Sequence, residues 1–160
     1  MTHFDRLRTA PWYPTFDWVR TADAAARKIN IWHEDYPRRV EKTAGVLYSL
    51  VVPPSVATSF LLTIHSIIFG DTSHGGQLRE VHVIVGQHRP PAVEDVPELM
   101  RELEGAYLGK ITDLEVLKDW YTDFETVHPF QDGNGRVGGV VVAVFSHYLH
   151  PDKGYLAPNQ

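Results

Sequence analysis

The segment "VHPFQDGNGRVGG", Val127 to Gly139, sets a histidine, an aspartate, an asparagine and an arginine among closely spaced glycines. His128 can accept a proton near neutral pH, as a general base facing an attacking hydroxyl must. The apolar stretch that follows predicts a helix starting at the end of this loop. A helix N-terminus presents unpaired backbone N–H groups and a positive dipole end, which suit an anion. Gly133 and Gly135 let the chain turn sharply and let a phosphate approach with no Cβ in the way. Arg136, on the first turn, would add a guanidinium. Asp132 would repel a bare phosphate, so its place in the cradle makes sense if it carries Mg²⁺. Together these are the parts of a phosphoryl or nucleotidyl transfer site. Singly they also suit a plain turn, with Asp132 or Asn134 capping the next helix. A turn needs neither the histidine nor the arginine, and the transfer site is the preferred reading. A P-loop is excluded, because no "GxxxxGK[ST]" occurs and no strand is predicted before the loop.

The elements that must position this loop are mostly helical. "ADAAARKINIWHEDY" after Thr21 and the stretch Arg38 to Leu50 predict two helices before the break at "VVPPS". Ser55 is expected to open a third, "VATSFLLTIHSIIF", apolar nearly all round and therefore buried. "EDVPELMRELEGAYL" and "TDLEVLKDWYTDFETV" read as amphipathic helices. The second would be capped by Thr112 or Asp113, with Leu114, Leu117, Tyr121 and Phe124 on one face. "RVGGVVVAVFSHYLH" could pass for a strand, but it has no partner and runs to Leu149, so a final buried helix ending at Pro151 is expected. "QLREVHVIVG" is the one strand signal, with Val81, Val83 and Val85 alternating against His82 and Ile84. A lone strand cannot stay unpaired in water, so a small hairpin is expected. The fold class is all-α, mainly helical, with one β-hairpin.

Composition narrows the function classes. A chain of 160 residues fits one domain. With 15 basic and 20 acidic residues intermixed and a net charge of −5, no basic face for nucleic acid is indicated. No cysteine occurs, which excludes disulfides, thiolate zinc sites and cysteine nucleophiles. Neither a signal peptide nor a membrane-length apolar run is present, so a cytoplasmic protein without nucleic-acid or membrane partners is expected. Export by a route that needs no signal is compatible with this.

"HPFQDGNGR" closely resembles the signature of Fic-domain proteins, His-Pro-Phe-x-Asp/Glu-Gly-Asn-Gly-Arg-x-x-Arg. "IHSIIF" and "GGQLREVHVIVGQHRPPAVEDVPELMREL" resemble that family's upstream region, where a hairpin called the flap precedes a Pro-rich turn and a helix. Phe124 sits where the family usually has a core aromatic. The likeness covers roughly Ser55 to Leu149. Residues 1–54 read as an N-terminal helical part from their own pattern, and the likeness implies 55–150 as a Fic-like core, with the flap at about 76–91 and the active-site loop at 128–136. By resemblance His128 is the general base, Phe130 anchors the loop and Asp132 binds Mg²⁺. Gly133, Asn134 and Gly135 form an anion hole, and Arg136 binds phosphate. The implied activity is that of a protein adenylyltransferase, moving AMP from ATP to a Ser, Thr or Tyr hydroxyl of a target protein. That target would dock on the flap residues Val81, His82, Val83, Ile84 and Val85 by strand addition.

The chain departs from the signature at its end, where Gly139 replaces the final arginine. Losing a charged contact to phosphate costs about 1.5–3 kcal/mol, roughly ten- to a hundredfold in affinity or rate. The pair Gly138-Gly139 is also expected to widen the cleft. Kinase-like or other non-AMP transfer, or a catalytically weak nucleotide- or partner-binding scaffold, are the alternatives. The family's inhibitory Ser/Thr-x-x-x-Glu-Gly/Asn motif is absent, since Met100 precedes Glu104-Gly105 where Ser or Thr is required. Either a separate inhibitory partner restrains the protein or none is needed. Among the nine histidines, His147 and His150 have one-face helical spacing but no evident third metal ligand. His65 reads as a satisfied buried or half-buried histidine, and His82 and His88 as solvated residues bordering the flap.

Overall fold

The computed structural model describes residues 54–70 and 72–150. The two helices expected before Pro53 lie outside the described residues. Within them run α1 (Thr58–Phe69), a 3₁₀ turn (Val93–Asp95), α2 (Val96–Tyr107), α3 (Leu114–Val127) and α4 (Asn134–Leu149). None of these helices is long and apolar enough to cross a membrane.

Two of the helices start on signals in their own sequence. Asp113 opens α3, its Oδ1 accepting the Val116 N–H at 2.9 Å. Pro97 stands in the first turn of α2, where its missing N–H costs nothing. Ser55, the expected start of α1, instead takes the Ala57 N–H on its own hydroxyl. The helix begins at Thr58, whose N–H donates to Glu104 of α2 at 2.8 Å. A cap supplied by another helix is invisible to local sequence reasoning.

The helices converge on one apolar core. α1 contributes Leu61, Ile64, His65, Ile68 and Phe69, while Thr63 and Ser66 face solvent and Ile67 is 41% exposed, so it buries one face only. α2 presents Val96, Leu99, Met100, Leu103 and Tyr107 at helical spacing. The Tyr107 hydroxyl donates to the buried Asp123 carboxylate, tying α2 to α3. α3 buries Leu117, Trp120, Tyr121 and Phe124, with the Trp120 and Phe124 rings stacked at 5.0 Å. Burial of each such side chain contributes about 1.5–3 kcal/mol.

The valine-rich α4 is a helix, as expected. Val137, Val140, Val141, Val142 and Val144 are all buried, and their packing outweighs weak helix propensity. Of the two glycines expected to widen the cleft, Gly138 does not. A Cβ on Gly138 would lie 2.7 Å from Tyr121 Cε2 and 3.3 Å from Phe124 Cε1, so Gly138 is the close-approach point of α3 and α4. Gly139 is the half-buried one.

The hairpin differs from expectation. Among the described residues no strand forms, and the only β-bridge is the isolated antiparallel one from Val85 to His88. The two residues exchange N–H···O bonds of 3.0 and 2.9 Å around Gly86-Gln87. The segment is held to α3 by side chains instead of by a ladder. His88 Nε2 meets the Thr126 carbonyl at 3.2 Å, so His88 is not the solvated residue expected. Burial lowers its pKa below the ordinary histidine value; the Thr126 carbonyl raises it and Arg79 lowers it further. Val81 and Ile84 stand 43% and 66% exposed.

Candidate active site

α3 ends abruptly because His128 adopts the left-handed conformation, φ 52° and ψ 61°, with its N–H still bonded to Phe124 O at 3.0 Å. A non-glycine residue there costs about 1–2 kcal/mol and must be held. Arg79, 4% exposed, does so with its guanidinium. Nε donates to His128 O at 2.7 Å, Nη1 to Val81 O at 3.0 Å, and Nη2 to Pro91 O at 2.7 Å and Val127 O at 3.4 Å. The Arg79 N–H also donates to Pro129 O at 2.8 Å. The His128 ring is largely covered, and its Nδ1 lies 3.8 Å from the buried Glu125 carboxylate. Tyr121 flanks Glu125; burial, and then that carboxylate, push its phenol well above the usual range, so it stays neutral.

Beyond His128 the loop is clamped at each step. Phe130 is fully buried, and Asn134 grips its backbone twice: Oδ1 accepts Phe130 N–H and Nδ2 donates to Phe130 O, both at 2.8 Å. The Asn134 side chain is therefore committed to the loop, and only its main chain is left for a ligand. His65 reaches across from α1 with both ring nitrogens engaged. Gly76 N–H donates to Nδ1 at 2.9 Å, so Nε2 carries the proton and donates to Asp132 O at 2.9 Å. The ring is stacked on Phe130 at 4.1 Å and on Phe69 at 4.6 Å. The expectation of a satisfied buried histidine holds, and the ring also sets the height of the loop.

Burial pulls the His65 pKa down to about 4, against the raising effect of the Asp132 carbonyl. The unfolded chain takes up this proton near pH 6.5 and the folded one only near 4, so stability falls as pH falls through that window. The loss approaches a value on the order of 3 kcal/mol at its acid end. Urea unfolding at pH 7 and pH 4.5 should show this loss, and His65→Gln should flatten it.

Asp132 is the exposed member, its side chain 61% accessible. Oδ1 accepts the Gly133 N–H at 2.8 Å and Arg136 Nη2 at 2.9 Å. Oδ2 has no hydrogen bond among the described residues. One open carboxylate oxygen suits Mg²⁺, which usually takes one or two carboxylates and fills its other positions with water and substrate phosphates. No group of three or more His, Cys, Asp or Glu is placed to hold a metal among the described residues. Arg136 is buried, with Cζ 4.6 Å from the Phe69 ring centroid.

α4 starts with Gly133 as N-cap and without a side-chain cap. Of the three amides expected in the anion hole, Gly133 N–H is taken by Asp132. Those of Asn134 and Gly135 have no partner among the described residues. Thus His128, Asp132, Gly133, Asn134, Gly135 and Arg136 share one loop and one helix start, and Arg79 joins the roots of segment 80–90 to its first residue. Sequence reasoning missed Arg79 and Glu125. Only Glu125 had a signal, a carboxylate three residues before His128.

The sequence model of the Fic/DOC family matches residues 55–146. The protein adenylyltransferase Fic of Drosophila willistoni is 29% identical over 100 residues, 59% of this chain and 20% of its own length. Its namesake in Culex quinquefasciatus is 32% identical over 90 residues, 51% of this chain and 18% of its own. This chain thus spans about a fifth of the length of the curated relatives it matches. Among solved structures, the BepC protein of Bartonella tribocorum, a VirB-translocated effector with bound AMPPNP, superposes with a TM-score of 0.57 at 17% identity. The match covers 75% of this chain and 69% of that one, and the likeness is one of fold.

Proposed function

The chain belongs to the Fic/DOC family, and on that premise we propose that it transfers AMP from ATP to a hydroxyl of a target protein. The observation that carries this reading is one loop that holds a histidine at the end of α3 opposite the open amides of Asn134 and Gly135 at the start of α4. In the mechanism His128 takes the proton of the target hydroxyl. Glu125 beside Nδ1 favours the tautomer that leaves Nε2 as the base. The hydroxyl oxygen then bonds to the α-phosphorus, the bond to the bridging oxygen of the β-phosphate breaks, and pyrophosphate leaves. The Asn134 and Gly135 amides stabilise charge building on the α-phosphate oxygens, and Arg136 offsets charge on the leaving group. Asp132 would hold Mg²⁺, which supplies charge neutralisation to the nucleotide phosphates. A target segment would lie along residues 81–85, where Val81 and Ile84 offer exposed apolar side chains and the backbone of 82–84 lies outside the one bridge.

A second reading rests on Gly139. Without an arginine there, the far phosphates lose a charged contact, and transfer of the γ-phosphate or of another phosphate-containing group becomes competitive. ATP labelled at the α- or the γ-phosphate, incubated with Mg²⁺ and a cell lysate, separates the two. Label entering protein from α-ATP alone is the expected result. Label from γ-ATP alone would make the protein a kinase, and nucleotide binding without any transfer would favour the scaffold. The family's inhibitory motif is absent from this sequence, so either a separate partner restrains the protein or no restraint is needed without the arginine at 139.

A further inference from the structure

Arg79 is a buried cation that takes no part in the proposed chemistry, and its placement is specific. All four acceptors of its guanidinium are main-chain carbonyls. Two belong to Val127 and His128, at the C-terminus of α3, where carbonyls lack helical partners and the dipole is negative. The other two, Val81 and Pro91, lie on the outgoing and returning arms of the exposed segment. The planar fork of arginine can span such a set, whereas the single ammonium of lysine cannot.

We propose that Arg79 is a positioning residue which holds His128 in its left-handed conformation and couples it to the segment that receives the target. The inference rests on the reading above that His128 is the base and residues 81–85 the docking edge. A target strand pairing with that edge would steady one arm of the same clamp. Docking and placement of the base are then linked through one side chain, with no movement of α3 or α4 required.

Arg79→Lys tests this with two independent readouts in the whole chain. The first is the ring-nitrogen NMR resonances of His128, assigned by their absence in His128→Ala and read from the folded population below the variant's melting temperature. The second is transfer from α-labelled ATP to a lysate protein, normalised to the folded fraction. Expected are shifted His128 ring resonances with those of His150, at the far end of α4, unchanged. The transfer rate should fall on the order of ten- to a hundredfold, as a displaced catalytic group requires. The nucleotide KM should stay within about twofold, since ground-state binding is untouched. Arg79→Gln, which keeps a planar donor but loses the charge, should move both readouts the same way. Unchanged His128 resonances in both variants would overturn the proposal, as would a rate loss no greater than the loss of folded protein. If the wild-type chain transfers nothing, the proposed function fails, and the ring resonances alone decide on Arg79.

Discussion

His128→Ala should lower the rate of label transfer by about 10²–10⁴-fold, the usual contribution of a positioned general base. Nucleotide affinity should hardly change, because the phosphate contacts assigned above come from the start of α4 and not from the imidazole. The loop should also survive. Phe130 and Asn134 clamp each other, His65 holds the Asp132 carbonyl, and Arg79 bonds main-chain atoms of residue 128 that alanine retains. Alanine is no better than histidine at positive φ, so a modest fall in melting temperature is expected and no more. Kinetics under saturating nucleotide, beside equilibrium nucleotide binding, make the measurement. Transfer at near wild-type rate in this variant would remove His128 from the chemistry, and loss of nucleotide binding would give it a different role.

Gly133→Ala should damage the site from below. Gly133 has φ +85°, and a Cβ there would lie 2.1 Å from Phe69 Cε2 and 2.3 Å from Cζ. The ring cannot yield easily. It is fully buried, stacked on His65 and covered by the Arg136 guanidinium. The left-handed backbone costs an L-residue about 1–2 kcal/mol, and overpacking adds about 1–3. A fall in melting temperature on the order of 10 °C follows for a chain of this size. Nucleotide binding should suffer with it, since any shift of Phe69 or of the N-cap displaces the amides behind it. A thermal melt and a nucleotide titration check both parts. A variant that melts with the wild type would mean that the loop can rise off Phe69 at little cost.

Gly133→Ala also marks where sequence reasoning stops. The glycine was legible as a turn, but nothing in "QDGNGR" says that the ring beneath it is Phe69, sixty-odd residues earlier. Similarly, "GG" at 138 and 139 read as open space, and one of the two is packed against Tyr121. The flap shows the opposite limit. Alternating valines signalled a strand, yet a strand needs a partner, and the pairing among the described residues is the single bridge at Val85 and His88.

By itself the sequence determined what depends on neighbours along the chain. Helical periodicity, the Asp113 cap and the order of polar residues in the loop are local, and each could be read within a few residues. So could the grouping of His128, Asp132, Asn134 and Arg136, because one loop carries them all. Only the tertiary structure decided what holds that loop still. His65 bonds Asp132 across 67 residues, Arg79 bonds His128 across 49, and Glu104 caps Thr58 across 46. Each is a polar side chain satisfying a main-chain group that would otherwise be left without a partner, and burial makes that satisfaction obligatory. Such demands arise only after the helices have packed, so no local pattern could announce them.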